Sequence, residues 1–222
     1  MSFNYNPSEY WHERGKVYQK NFKYDRDKRL QEKLLIKHLN DNIFTSQESV
    51  KSVLELGCGF GRVTKLLLTE FPVIKEYLAV DLSPHQLENA KKYIGSNNDK
   101  ITFLLSDIQN LDTNNKKYDL VIISEVLLHI KPDEIDPIIK KIISLSKKHV
   151  VNIDWYEDTL PLDYKKRATY NFIHQYEELY KKYTEPSTTT TIKRIPIRKK
   201  NFLSSFDTRQ SIFHVILEEN LH

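Results

Sequence analysis

Short apolar runs alternate with segments of helical periodicity through the middle of the chain. The runs that predict strands are 51–56, 77–80, 101–105, 120–123 and 150–153. Between them, apolar residues recur at helical spacing, as in the series Ile135, Ile138, Ile139, Ile142 and Ile143. Strands that alternate with amphipathic helices predict a doubly wound α/β fold, in which a mostly parallel sheet carries helices on both faces.

The segments that flank this core predict additional elements. From Asp25 onward, leucines at helical spacing predict an amphipathic helix that covers one sheet face. Residues 164–183 predict a Lys- and Tyr-rich helix, and 186–191 a polar loop. Runs 198–202 and 211–217 predict a closing antiparallel hairpin, which gives seven strands in all. We expect one domain with an N-terminal helical cap (1–49), a ligand-binding core (50–154) and a helical appendage with closing strands (155–222).

A glycine-rich turn follows the first predicted strand, with Gly57, Gly59 and Gly61 at alternate positions. In open α/β sheets, ligands bind beyond the carboxyl ends of the strands, where such a turn lets the backbone approach closely. The dinucleotide fingerprint needs a third glycine where Arg62 stands, which argues against NAD. Asp81 ends the next strand, where a carboxylate can accept both hydroxyls of a ribose.

Four motifs in this order resemble the class I S-adenosylmethionine-dependent methyltransferases, particularly the branch that acts on small molecules. They are 53–61 (VLELGCGFG), 80–83 (VDLS), 106–108 (SDI) and 118–121 (YDLV). The resemblance implies S-adenosylmethionine as cofactor, held at Glu55, Gly57, Gly59, Gly61, Asp81, Leu82, Asp107, Ile108 and Ser124. The turn would approach its methionine and ribose, Asp81 its ribose, and Asp107 with Ile108 its adenine. Taken singly, each residue could instead be a turn former, cap or strand-end charge.

An aromatic segment near the N-terminus adds a further candidate. Tyr10, Trp11, Arg14 and Gly15 resemble a segment that caps the cofactor in some members of this family. Arg14 could pair with the cofactor's carboxylate, because a guanidinium matches a carboxylate bidentately. The alternative is a surface arginine beside an aromatic anchor.

The acceptor side depends on residues beyond the fourth and fifth strands. Methyl transfer is an in-line displacement that positioning alone can promote, but a hydroxyl acceptor benefits from a general base. By residue type His129 is the best base, and Asp154 could orient the substrate or act as base. His174 belongs to a His-x-Tyr segment that resembles one in related enzymes. Each could instead be a packed histidine or a strand-end charge.

Three tyrosines, Tyr156, Tyr170 and Tyr176, could wall the acceptor pocket or simply pack on the sheet. A small hydroxyl or amine compound is the expected acceptor, a sugar being one candidate. Residues 124–127 lack the Asn/Asp-Pro-Pro-aromatic motif of nucleobase amine methylation. Methylation of cytosine at carbon 5 needs a nucleophilic cysteine, and the only cysteine of the sequence, Cys58, lies inside the glycine turn. Carboxylates do not cluster after the fourth strand, so no metal site is expected.

Composition limits the remaining possibilities. A net charge of +4 is too small for a nucleic-acid footprint, although the basic run 193–200 leaves an RNA or protein methyltransferase as the alternative. A non-catalytic subunit that binds the cofactor is a second alternative. The lone cysteine and the polar N-terminus favour the cytoplasm, and 120–130 is too short to span a membrane.

Overall fold

The computed structural model describes residues 6–19, 26–46, 50–95, 98–156, 166–168, 171–184, 188–197 and 210–219. Within these ranges the strands are β1 (Ser52–Leu56), β2 (Glu76–Asp81), β3 (Ile101–Leu105), β4 (Tyr118–Ser124), β5 (Ser146–Trp155), β6 (Lys166–Ala168), β7 (Asn171–Phe172), β8 (Thr188–Ile197) and β9 (Gln210–Glu219). The helices are α1 (Pro7–Gly15), α2 (Arg26–Asn42), α3 (Arg62–Glu70), α4 (Pro84–Ile94), α5 (Ile135–Leu145) and α6 (Tyr176–Tyr183).

Seven strands form one sheet in the order β3-β2-β1-β4-β5-β9-β8. The first five are mutually parallel, while β9 and β8 are antiparallel to their neighbours. The chain runs outward from β1 to β3 and then returns to β4, so the strand order reverses between β1 and β4. A crevice opens at the carboxyl ends of strands where such a reversal occurs. The predicted seven-stranded, doubly wound fold with a C-terminal antiparallel pair is confirmed.

Each face of the sheet carries its own hydrophobic core. Leu54 and Leu56 of β1 pack with residues of α5 and α6, whereas Val53 packs with residues of α2, α3 and α4. All five β1 residues are buried. A strand covered on both faces is usually apolar throughout, and β1 departs from this only at Ser52 and Glu55, whose side chains are hydrogen-bonded. No helix in the described part of the chain is long and apolar enough to cross a bilayer.

The start and end of α4 follow its sequence signals. The Ser83 hydroxyl accepts a hydrogen bond from the Gln86 N–H at 3.4 Å, Pro84 is the first helical residue, and Gly95 ends the helix at φ +98°. A serine cap satisfies one of the free N–H groups of the first turn, and glycine adopts a positive φ without strain. The predicted limits of this helix are confirmed.

The last third of the chain differs from its prediction in two places. Residues 164–183 are not one helix, because β6 and β7 form a two-stranded ribbon and α6 begins only at Tyr176. The prediction relied on composition, which does not specify where pairing ends and a helix starts. The predicted polar loop 186–191 is largely strand, since β8 begins at Thr188 with β-branched threonines that suit a strand. The predicted strand 198–202 lies outside the described residues.

Candidate active site

The glycine turn after β1 needs glycine for its backbone shape. Gly57, Gly59 and Gly61 have φ of +73°, +55° and +85°, a region that L side chains rarely adopt. A Cβ on Gly57 would also lie 2.3 Å from Cγ2 of Val126, which follows β4. The turn that ends β1 therefore packs closely against the segment that follows β4.

Asp81 braces this turn from the end of β2. Its Oδ2 accepts a hydrogen bond from the Gly59 N–H, and its Oδ1 accepts one from the Ser83 N–H, both at 2.8 Å. Burial raises the pKa of Asp81 to about 6, although the two N–H groups oppose that rise. The carboxyl thus joins the glycine turn to the cap of α4.

Glu55, the other predicted carboxylate near the turn, is buried within β1. Its Oε2 accepts hydrogen bonds from the Thr64 hydroxyl at 2.5 Å and the Tyr77 hydroxyl at 2.7 Å. Burial raises the pKa of Glu55 to about 7, and these two donors lower it in part. These two hydrogen bonds fix the Glu55 side chain, which also borders the crevice.

A cavity of about 250 Å³ fills the crevice at the carboxyl ends of β1 to β4. This is several times the roughly 30 Å³ that one water occupies, so the cavity can take a small organic group. The predicted site residues that line it are Glu55, Gly57, Gly59, Asp81, Leu82, Asp107, Ile108, Ser124 and His129. Gly61, Arg14, Asp154, His174, Tyr156 and Tyr176 do not line it, and Tyr170 lies outside the described residues.

The cavity lining is acidic. Its carboxyl groups belong to Glu55, Asp81, Asp107, Glu125 and Glu134, and its guanidinium to Arg62. A concave site lined mainly by one sign of charge attracts ligands of the opposite sign. Burial raises the pKa of Glu55 to about 7 and Glu125 is paired with Lys28, so the negative charge of the lining comes mainly from the other three carboxyl groups. This charge suits a ligand that carries positive charge.

Asp107 and Ile108 provide a contrasting pair of surfaces beyond β3. The Asp107 carboxylate accepts hydrogen bonds from both the backbone N–H and the side-chain amide of Asn110, each at 2.8 Å. Ile108 is buried and presents an apolar wall to the cavity. A hydrogen-bond acceptor beside an apolar surface can bind a flat ring whose edge is polar.

Helix α1 and the residues just after it cover the cavity. Trp11, which belongs to the predicted capping segment, and Tyr18, which the sequence analysis did not name, both line it. The Trp11 ring meets the His129 ring edge-on with centroids 4.9 Å apart. Asn89 of α4 holds the helix by donating to the Gly15 carbonyl at 3.0 Å. Arg14 is exposed, with its guanidinium carbon 5.7 Å from the centroid of the Tyr18 ring.

A polar network closes the side of the cavity next to β5 and β9. Glu125 adopts φ +58°, pairs with Lys28 of α2, and accepts a hydrogen bond from the Gln210 amide at 2.6 Å. Arg62 donates to Glu32 at 2.9 Å and to Gln31 at 2.7 Å. Glu125, which follows β4, thus meets residues of α2, α3 and β9. No local motif marks these residues, and sequence reasoning assigned none of them to the site.

The three candidate catalytic residues occupy different positions around the short 3₁₀ turn Leu127–His129. His129 faces the cavity. Asp154 is fully buried behind the turn, where its Oδ2 accepts a hydrogen bond from the Leu128 N–H at 3.2 Å. His174 is also buried, with Nε2 3.1 Å from the Leu127 carbonyl.

The tyrosines predicted to wall the acceptor pocket are found mainly in the core. Tyr176 is fully buried and packs against Phe213, with ring centroids 5.1 Å apart. Tyr156 is half-buried between Phe213 and Arg194, whose guanidinium carbon lies 4.4 Å from the Tyr156 ring centroid. Both contribute aromatic packing next to β9 and do not border the cavity.

Known proteins share this sequence pattern. A family described as a methyltransferase domain matches residues 53–149. The malonyl-[acyl-carrier protein] O-methyltransferase of Priestia megaterium is 38% identical over 88 residues, 40% of this chain and 30% of the relative. The chain therefore spans about a third of that relative's length. The ubiquinone biosynthesis O-methyltransferase of Rickettsia canadensis is 30% identical over 189 residues, 77% of either chain.

The fold is shared more widely than the sequence. The magnesium protoporphyrin IX methyltransferase of Synechocystis PCC 6803, solved with bound SAH, superimposes with a TM-score of 0.70 at 15% identity, covering 95% of this chain and 98% of that one. The N-methyltransferase NodS of Bradyrhizobium japonicum superimposes with a TM-score of 0.64 at 15% identity, covering 88% and 98%. Since the glycine turn, the strand order and a long match to a curated relative agree, this chain belongs to the class I S-adenosylmethionine-dependent methyltransferases.

Proposed function

We propose that this protein transfers the methyl group of S-adenosylmethionine to an oxygen atom of a small molecule. The observation that carries the proposal is the position of His129, whose imidazole borders the same cavity as the glycine turn and Asp81. A base group and a cofactor-type turn therefore face one enclosed space. Two relatives with O-methyltransferase names support oxygen as the acceptor atom.

The cavity has the features that this cofactor requires. Bound there, S-adenosylmethionine would supply an electrophilic methyl group on a positively charged sulfur. The acidic lining, with Glu55 and Asp81 next to the turn, favours such a cation. Asp81 could accept a ribose hydroxyl through its remaining lone pairs, and Ile108 could pack against adenine while Asp107 offers a hydrogen-bond acceptor. Ser124, at the end of β4, would lie near the methionine part.

His129 would act on the acceptor. A neutral imidazole can take the proton of a hydroxyl as the oxygen attacks. Trp11 stands edge-on to His129 and Tyr18 lies nearby, so aromatic walls enclose the space in front of the imidazole. This arrangement favours a flat hydroxylated acceptor and excludes water from the reacting atoms. A carboxylate acceptor would need no base and would depend on positioning alone.

The test is a turnover assay with defined acceptor classes. Purified protein and S-adenosylmethionine are incubated with hydroxylated aromatics, malonyl thioesters, sugars and small amines, and S-adenosylhomocysteine is quantified. We expect release with an oxygen acceptor and none with amines. Binding of S-adenosylmethionine without turnover on any class would instead support a non-catalytic subunit, and turnover with amines alone would overturn the choice of oxygen.

Substitution of Asp81 tests the cofactor end of the proposal. Asp81→Asn replaces one accepting oxygen with a donor that faces backbone N–H groups, and a lost hydrogen bond of this type is worth about 1.5 kcal/mol. We expect the affinity for S-adenosylmethionine, measured by calorimetry, to fall roughly tenfold. Asp112→Asn is the matched control, since Asp112 is exposed and away from the cavity. Equal affinities in both variants would remove Asp81 from the cofactor site.

The alternative of an RNA or protein acceptor relied on the basic run 193–200. In β8, Lys193 donates to the Asn42 side chain at 3.2 Å, and Arg194 lies over Tyr156 and 3.8 Å from Glu177. These two charges are engaged within the protein, and 198–200 lie outside the described residues. We expect no retention on immobilised RNA at low salt, whereas salt-sensitive retention would favour the alternative.

A further inference from the structure

We propose that Asp154 and His174 are positioning residues, which together hold the Leu127–His129 turn so that the His129 imidazole points into the cavity. The inference rests on the proposed function, because it assigns a purpose to the orientation of His129. Neither side chain borders the cavity, so neither would touch the substrate. Both side chains contact the backbone of the turn on the side away from the cavity.

His174 holds the carbonyl side of the turn. Its Nε2 lies 3.1 Å from the Leu127 oxygen and 3.0 Å from the Ile130 oxygen. Carbonyl oxygens only accept hydrogen bonds, so Nε2 must carry the proton and donate to both. Burial lowers the pKa of His174 to about 4, which keeps the ring neutral in this tautomer.

Asp154 holds the N–H side of the same turn. It is fully buried at the end of β5, and its Oδ2 accepts a hydrogen bond from the Leu128 N–H at 3.2 Å. Its Oδ1 accepts one from the Trp155 N–H at 3.0 Å, which fixes the orientation of the carboxyl. Asp154 and His174 thus both bond to the backbone of one short turn, although they lie 26 and 47 positions further along the chain than their partners in it.

The turn needs this support because it is short. Its own backbone hydrogen bonds run from the His129 N–H to the Val126 carbonyl and from the Ile130 N–H to the Leu127 carbonyl, at 2.9 and 3.0 Å. A single 3₁₀ turn has poor hydrogen-bond geometry and little intrinsic stability. It also follows Glu125, whose positive φ is uncommon for a residue with a side chain. A displacement of about 1 Å at a reacting group can cost roughly a hundredfold in rate.

The surroundings of Asp154 indicate which replacement can restore its role. Burial, with the nearby Asp154 as a lesser cause, raises the pKa of Tyr176 and Tyr180, so both hydroxyls stay protonated. Burial also raises the pKa of Asp154 to about 7. A neutral amide is therefore tolerable at this position, and Asn retains an oxygen that can accept from the Leu128 N–H. Its NH2 group would face the Trp155 N–H, which Oδ1 accepts in the wild type, so the replacement should restore the role of Asp154 only in part.

The experiment compares truncating and conservative variants at both positions. Asp154→Ala and His174→Ala should lower kcat by roughly ten- to a hundredfold, while the Kd for S-adenosylmethionine changes less than about twofold. His174→Gln keeps a donor and should restore most of kcat. Asp154→Asn keeps the acceptor for the Leu128 N–H but not the one for the Trp155 N–H, and should restore part of kcat. His149→Gln is the matched control, because His149 is a buried histidine near the amino end of β5, away from the cavity.

A second measurement does not need turnover. The chain has two tryptophans, so in a Trp155→Phe background the fluorescence reports on Trp11, which contacts the His129 ring. Loss of the contact with the His129 ring should change this emission, and His129→Ala in the same background gives the value for a lost contact. The Ala variants at 154 and 174 should move the emission towards that value, and His149→Gln should leave it unchanged.

The outcomes separate this inference from the function it rests on. Absence of turnover in the wild-type protein would overturn the proposed function, and the Trp11 emission would still test the positioning. Folded Ala variants with normal kcat and normal Trp11 emission would overturn the inference, as would a loss of cofactor affinity as large as the loss of kcat. If the Ala variants do not fold, loss of kcat in both Asp154→Asn and His174→Gln would overturn it, and retained kcat would support it.

Discussion

The two sides of the cavity are built from the chain in different ways. The side that we propose for the cofactor, the cofactor side, uses the glycine turn, Asp81 and Asp107, each at the end of its own strand within residues 55–107. The side that we propose for the acceptor, the acceptor side, combines the Leu127–His129 turn with Asp154, His174 and a network that reaches α2 and β9. One side is a series of local motifs, and the other is assembled from segments distant in sequence.

This difference shows what each side tolerates. On the cofactor side the backbone conformation is the constraint, since the three glycines adopt positive φ values that L side chains rarely adopt. Gly57 and Gly61 also leave no room for a Cβ. On the acceptor side the constraint lies in hydrogen bonds and ion pairs between segments, which other residue pairs could replace. The acceptor side can therefore vary among relatives of one fold more readily than the cofactor side.

The largest effect should come from Gly57→Ala. The new Cβ would meet Val126 at 2.3 Å in a backbone region with φ +73°. Strain and overpacking together should cost about 3 kcal/mol of unfolding free energy and abolish most cofactor binding. Gly95→Ala is the matched control, because Gly95 has φ +98° but nothing within 4 Å of its would-be Cβ. Urea unfolding should show a loss of only about 1 kcal/mol there, and equal losses would refute a special role for the turn.

Breaking the acceptor-side network should have a smaller effect on stability. Lys28→Met leaves the Glu125 carboxylate with the Gln210 amide but without its lysine, and the two charged side chains are only 13% and 17% exposed. We expect a loss of about 2 kcal/mol, between the values for buried and surface pairs. Cofactor affinity should be unchanged while kcat/KM for the acceptor falls. Lys37→Met, which removes an exposed ion pair with Asp41, should change neither the stability nor kcat/KM appreciably.

The pH dependence of stability compares the site with a histidine chain at the far end of the sheet. His38 Nε2 and His149 Nδ1 each lie 3.0 Å from a ring nitrogen of His214. Burial lowers the pKa of all three, to about 4 for His149 and about 3 for His214. The unfolded chain therefore takes up protons first, and stability should fall as pH drops from about 6.5 towards 4, by up to about 1.4 kcal/mol per unit for each histidine.

Glu55 and Asp154 should act in the opposite direction. Burial raises the pKa of both to about 7, so the folded protein binds more protons than the unfolded chain above about pH 4.5. Their contribution to stability should fall as pH rises towards 7. Urea unfolding of wild type and His214→Gln between pH 7.5 and 5 separates the two trends. If the variant keeps the full acid sensitivity of the wild type, the histidine chain is not its source.

The smallest effect should come from Arg14→Ala. Sequence reasoning assigned Arg14 to the cofactor's carboxylate, but its exposed guanidinium lies beside the Tyr10 and Tyr18 rings. Exposed contacts of this kind are worth about 0.5 kcal/mol. Calorimetry should therefore show less than a twofold change in cofactor affinity, against a larger change for Arg62→Met, since Arg62 lines the cavity. A tenfold loss in Arg14→Ala would return Arg14 to the cofactor site.

Sequence reasoning was most successful where a feature depends on neighbours in the chain. The Ser83 cap, the glycine turn and the five parallel strands follow from turn chemistry and periodicity. It failed at 164–183 and 186–191, because the β6–β7 ribbon and the β8–β9 pairing depend on partners that no local pattern specifies. It named His129, Asp154 and His174 as separate candidates for catalysis, whereas their positions relative to the cavity depend on packing.

The sequence by itself determined the doubly wound fold and the cofactor side of the cavity, because strand ends and positive-φ glycines are encoded within short stretches. Only the tertiary structure decided that Trp11 lies over His129, that Glu125 pairs with Lys28, and that Asp154 and His174 support a turn from behind. Such contacts join residues far apart in the chain, and they exist only after both cores have packed against the sheet.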